Sequence, residues 1–218
     1  MIVLLPRVLA ARLPLTFAVW EGVQTRIRSS VLVAALWMVL SGIASAHSFT
    51  AAVLVAGENR DASLAEAVRG FLLAADERDG HPNQTSDGHL GGVDVQVLPL
   101  PREAAGLVEG LIGTPDEPAD VVVVIGAEPA AREATREYQS TSTVLLQVVL
   151  PLGWDSDKGI DSFVARYRLA YGTAPGVMAA TAYHAARRLD VAIRPLDGVI
   201  PQAALKDAWR STESGLTW

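Results

Sequence analysis

Four apolar runs alternate with helix-length amphipathic segments between residues 49 and 150 of this 218-residue chain. Phe49 to Ala56 (FTAAVLVA) is apolar and stops at Gly57, the pattern of a strand. Val93 to Leu98 alternates apolar and polar, and Asp120 to Ile125 (DVVVVI) is a continuous Val/Ile run suited to a parallel strand covered on both faces. Thr143 to Leu150 (TVLLQVVL) reads as a fourth strand. Between the first two, Leu64, Val68, Phe71, Leu72 and Ala75 recur at helical spacing behind Ser63 and Glu66, whose separation suggests a capping box. Gly80 is the expected stop, and residues 80–92 read as a polar loop. A second helix is expected over Arg102 to Ile112, and Pro129 is placed to open a third. Beyond residue 160 the pattern is helical throughout. Ile160, Phe163, Val164, Tyr167 and Tyr171 form one stripe, and Met178, Ala182, Ala185 and Leu189 follow Pro175. Leu205, Ala208 and Trp209 follow Pro201.

A βαβαβαβ order closed by helices predicts an α/β fold. Right-handed crossovers favour a three-layer sandwich whose four-stranded parallel sheet has the order 2-1-3-4. The topological switch point then falls between strands one and three. The loops after them, Gly57 to Ala62 and Gly126 to Pro129, flank the crevice where such sheets bind ligands. Gly57, Glu58, Asn59, Asp61, Gly126, Ala127 and Glu128 are the expected ligand-binding residues.

Residues 1–46 carry a different pattern. Arg26 and Arg28 precede the apolar run Val31 to Ile43, which ends in Ala44-Ser45-Ala46, an A-x-A cleavage signal. The run is shorter than the roughly 20 residues that span a bilayer. The expectation is a cleaved leader with a long n-region over 1–46, a single α/β domain over 47–218, no membrane span after cleavage, and a periplasmic location. Four of the 18 Lys and Arg and one of the 24 acids precede residue 46, leaving 14 bases against 23 acids, a net charge of about −9. That surface repels phosphate backbones, so nucleic acid is not an expected partner.

No cysteine is present, which excludes disulfides, thiolate zinc sites and thiol catalysis. The chain lacks G-x-S-x-G, G-x-x-x-x-G-K-[ST] and a G-x-G-x-x-G after its first strand, so no catalytic residue and no cofactor is assigned. Asp79, His81, Asp87 and His89 carry metal-ligating atoms in one loop, but their spacing fits no standard site, and no metal is expected. Asp76 and Glu77 fall on a solvent-facing helix end without a buried partner.

The run FVARYRLAYGTAPGVMAATAYHAARRL (163–189) resembles the closing helices of type I periplasmic solute-binding proteins of ABC transporters, the branched-chain amino-acid-binding group. Phe163, Tyr167, Tyr171, Gly172, Pro175, Ala182, Tyr183 and Ala185 hold the matching places. AADERDG (74–80) and VVVVIGA (121–127) are similar to the family's first helix end and to the strand before its first-lobe ligand loop. The resemblance covers most of 48–190. It implies a solute-binding, non-enzymatic protein accessory to an ABC-type uptake or periplasmic system, with a transporter or other periplasmic protein as partner. Two departures qualify it. Pro151-Leu152-Gly153-Trp154 leads straight into the closing helices where the family inserts a second lobe, so one lobe is expected. Gly126-Ala127-Glu128-Pro129 stands where amino-acid binders carry Ser or Thr, and an acid there favours a neutral or cationic solute. The alternative is an exported hydrolase or metal-dependent enzyme on a flavodoxin-like sheet, which would draw on Glu58, Asn59, Asp61 and Glu128.

Overall fold

The computed structural model describes residues 48–57, 60–78, 85–101, 108, 110–112, 118–138, 143–149, 152–213 and 216. The expected leader lies outside them. The elements run β1 (Ser48–Val55), α1 (Arg60–Asp76), β2 (His89–Leu90), β3 (Val93–Leu100), β4 (Val121–Ile125), α2 (Glu128–Thr135), β5 (Val144–Val148), α3 (Phe163–Tyr171), α4 (Val177–Ile193) and α5 (Gln202–Ser211).

The fold is α/β, as the alternation of elements requires. Its sheet is mixed and five-stranded, in the order β2-β3-β1-β4-β5, which corrects the expected four-stranded parallel sheet. β1 pairs in parallel with β3 and β4, and β4 with β5. The addition is β2, antiparallel to β3 through His89↔Asp94 and Leu90↔Val93. Gly91 and Gly92 join the two strands with φ of 66° and 86°. A two-residue hairpin of type I′ needs positive φ at both central positions, which glycine adopts without steric cost.

Period-two alternation divides the strand side chains between two cores. Phe49, Ala51, Val53 and Val55 of β1 join Val121, Val123 and Ile125 of β4 beneath α1, α3, α4 and α5. Ala52, Leu54 and Ala56 join Val122 and Val124 on the opposite face, against Ala130, Ala131 and Ala134 of α2. Each fully buried large side chain stabilises the fold by about 1.5–3 kcal/mol.

The helices depart from expectation in four places. α1 starts at Arg60, so Ser63 and Glu66 lie inside it and form no capping box. Glu66 instead accepts from the N–H groups of Gly176 (2.6 Å) and Ala179 (3.4 Å), capping α4. Of the helix expected over 102–112, only Val108 and Gly110 to Ile112 are described, and they are not helical. Ile112 N–H donates to buried Asp87 (2.5 Å), which also accepts from Val97 N–H (2.7 Å). Pro129 is the second residue of α2, after Glu128. Finally, Ser162 caps α3 by accepting from Ala165 N–H (3.3 Å), which leaves Ile160 outside the helix and in water rather than on the buried stripe.

α4 lies across the sheet and is buried nearly all round through Ala179, Ala180, Ala182, Ala185, Ala186 and Leu189. These small side chains admit α1 at close range. A Cβ on Gly70 would sit 2.8 Å from the Cα and carbonyl carbon of Ala179.

Candidate functional site

The carboxyl ends of β1 and β4 meet side by side. Val55 is in register with Ile125, and Ala56 N–H donates to Ile125 O (2.8 Å). Gly126 follows with φ of 146°, and a Cβ there would lie 2.6 Å from Ala56 O. Only glycine fits that backbone at that separation. The loops after strands β1 and β4 are therefore held together at the switch point, and α1 and α2 both begin at this edge, on opposite faces of the sheet.

The expected site residues fall as follows. Gly57, Asp61 and Ala127 are exposed, and Gly126 is half-buried. Glu58 and Asn59 lie outside the described residues. Glu128 opens α2, and its side chain also lies outside what is described. Ala127 caps α2 without a side-chain hydrogen bond, and Pro129 in its first turn has no N–H to donate. Asp61 supplies an exposed acid at this edge. A cavity of about 440 Å³ opens at the opposite end of the sheet between Glu77, Arg78, Gly91, Gly92, Asp190 and Arg194.

That opposite end carries a polar network that sequence spacing does not disclose. Glu77 is exposed, as expected, but it accepts from Arg166 Nε (2.6 Å) and from the hydroxyl of buried Tyr183 (2.8 Å), which corrects the expectation that it has no buried partner. The same hydroxyl accepts from Arg166 Nη2 (2.6 Å) and Arg187 Nη1 (3.0 Å), and both guanidinium groups lie over the Tyr183 ring. Burial raises the Tyr183 phenol above its ordinary value, and the Glu77 hydrogen bond adds to the shift. The phenol therefore stays protonated at neutral pH and ties α1, α3 and α4 together. Asp190, almost fully buried, accepts from Gly91 N–H (2.9 Å) and Arg194 Nη2 (2.6 Å), with Arg78 at 3.5 Å, fastening the β2–β3 turn to α4. Each of these groups already has a structural partner.

Of the four loop residues with metal-ligating atoms, Asp79 and His81 lie outside the described residues. Asp87 is taken up by backbone amides, and His89 Nε2 is 2.7 Å from Asp94. Among the described residues no group of three or more His, Cys, Asp and Glu is placed to hold a metal, and no helix is long and apolar enough to cross a membrane. No family model, curated protein or solved structure matches this chain.

Proposed function

We propose that this chain is an exported, non-enzymatic solute-binding-like protein, one lobe of the type I periplasmic-binding architecture, accessory to an ABC-type uptake or other periplasmic system. The observation that carries the proposal is the juxtaposition of the loops after β1 and β4, fixed by the Ala56–Ile125 hydrogen bond and by the fit of Gly126 against Ala56. Two sequence features support it: the leader-like pattern over 1–46, and the family resemblance of 163–189, whose Phe163, Tyr167 and Tyr183 pack as one aromatic cluster.

A net charge of about −9 over residues 47–218, with Asp61 at this edge, favours a neutral or cationic solute. A single lobe buries one side of a ligand, so affinity falls roughly in the micromolar to millimolar range. Chemical-shift mapping with neutral and cationic solutes tests this. Shifts at Gly57, Asp61, Gly126 and Ala127 are expected. Tight leucine or valine binding, or shifts confined to 80–92, would overturn the reading.

A further inference from the structure

β5 is the last strand of the sheet, and among the described residues no strand pairs with its outer edge. Edge strands are commonly shielded from further pairing by Lys, Pro or a bulge. The five residues of β5, VLLQV, include no charge and no proline. Val144 N–H donates inward to Asp120 O (2.9 Å), and the N–H and C=O of one residue point to the same side of a strand, alternating along it. Leu146 and Val148 therefore also turn their backbone groups toward β4, and Leu145 and Gln147 turn theirs outward. Accessibility agrees: Val144, Leu146 and Val148 are buried, whereas Leu145 is half-buried and Gln147 exposed.

A groove of about 380 Å³ runs along this edge. Leu145, Leu146 and Gln147 line it together. Successive side chains of a strand point to opposite faces, so the groove follows the edge rather than one face. Its other wall is Lys206, Trp209 and Arg210 of α5 with Glu213 just beyond, at the i, i+3, i+4, i+7 spacing of one helix face. Glu213 N–H still donates to Arg210 O (3.2 Å), which continues the turn. Arg210 is engaged by Asp207 (2.6 Å), and Lys206 and Glu213 stand at the two ends of the stripe with opposite charge.

Strand and helix are both self-complementary about one axis. An antiparallel copy of β5 centred on Leu146 sets Leu145 opposite Gln147, the residues whose backbone groups point outward, and each such pair exchanges two hydrogen bonds. Leu146 then meets its own copy in a non-hydrogen-bonded pair, as its inward backbone requires. Leu146 and the α5 stripe line the same groove, so a two-fold axis normal to the sheet also brings α5 beside its copy, Lys206 opposite Glu213 and Glu213 opposite Lys206. We infer that the chain pairs with a second copy of itself through β5 and α5, joining two five-stranded sheets into one. Such an isologous contact closes at the dimer and leaves no β5 edge open. The inference holds whether or not a solute binds.

Sedimentation of the full chain at low salt tests it, with a dimer expected at about 100 μM. Gln147→Pro removes an outward N–H and spares the bonds to β4, so dimerisation should weaken roughly tenfold or more while circular dichroism and thermal midpoint stay unchanged. Lys206→Glu and Glu213→Lys each set like charges opposite one another, and each alone should weaken the dimer. An equal mixture of those two variants restores opposite charges and should dimerise more tightly than either. A monomeric unaltered chain, a dimer that Gln147→Pro leaves intact, or a mixture no tighter than its components overturns the inference. Solute shifts at Gly57 and Gly126 are read separately, so either proposal fails without the other.

Discussion

His184 sits half-buried on α4 beside Arg187 and Arg188, and its pKa is pushed down to about 4, first by burial and then by those two cations. The imidazole is neutral in the folded protein at neutral pH. The unfolded chain takes up a proton near 6.5, the ordinary value. Between these limits the unfolded state binds more protons, so stability is complete above about 6.5 and falls as the pH drops toward 4. Urea midpoints measured across this window should decline with acid, and His184→Gln should flatten the slope while changing little at pH 7. An unaltered slope in the variant would assign the pH response elsewhere. Glu66 acts at the same scale, with its carboxylate placed where the α4 amides and helix dipole favour a negative charge. A Cβ on Gly176 would sit against that carboxylate and displace the flexible Glu66 side chain from the cap.

At the scale of elements, the contact between α1 and α4 is set by Gly70 against the Ala179 backbone. Backbone does not move aside as a flexible side chain does. Gly70→Ala gains about 1 kcal/mol of helix propensity, but overpacking at such a contact costs about 1–3 kcal/mol. The expected net effect is a loss of about 0–2 kcal/mol in urea unfolding, and Gly70→Leu should not fold. A neutral or stabilised Gly70→Leu variant would show that the helices part freely.

Local pattern made some of these elements legible and not others. Phe163, Tyr167 and Tyr171, then Ala182, Ala185 and Leu189, follow helical spacing because the buried faces of α3 and α4 repeat it. β2 has two residues, too few for any period to register, and only its Gly91-Gly92 turn marked it. Ser63 and Glu66 imitate a capping box because spacing cannot reveal a partner 110 residues away. Ile160 matched the α3 stripe in phase, but the Ser162 cap ended the helix first. The position of the candidate edge followed from the order of the parallel strands. The Glu77–Tyr183 network did not, since its members stand 106 residues apart.

For the whole molecule, these separations mean that α1 is covered by the last third of the chain. Removing everything from Gly176 onward deletes α4 and α5, leaving Leu64, Val68 and Phe71 without their covering helix. The truncated chain should bind a hydrophobic dye and show no cooperative melting; a sharp transition would mean that the sheet and α1 suffice alone. The cap that Glu66 supplies to α4 also carries a consequence in time. At roughly 5–20 residues per second, the ribosome needs about 5–20 seconds to travel from Glu66 to Gly176. Throughout that interval the early β1–α1 unit has no lid, and contacts of such range close slowly even once the chain is complete. The nascent chain therefore remains threadable for most of its synthesis, and its native state becomes available only when the closing helices arrive.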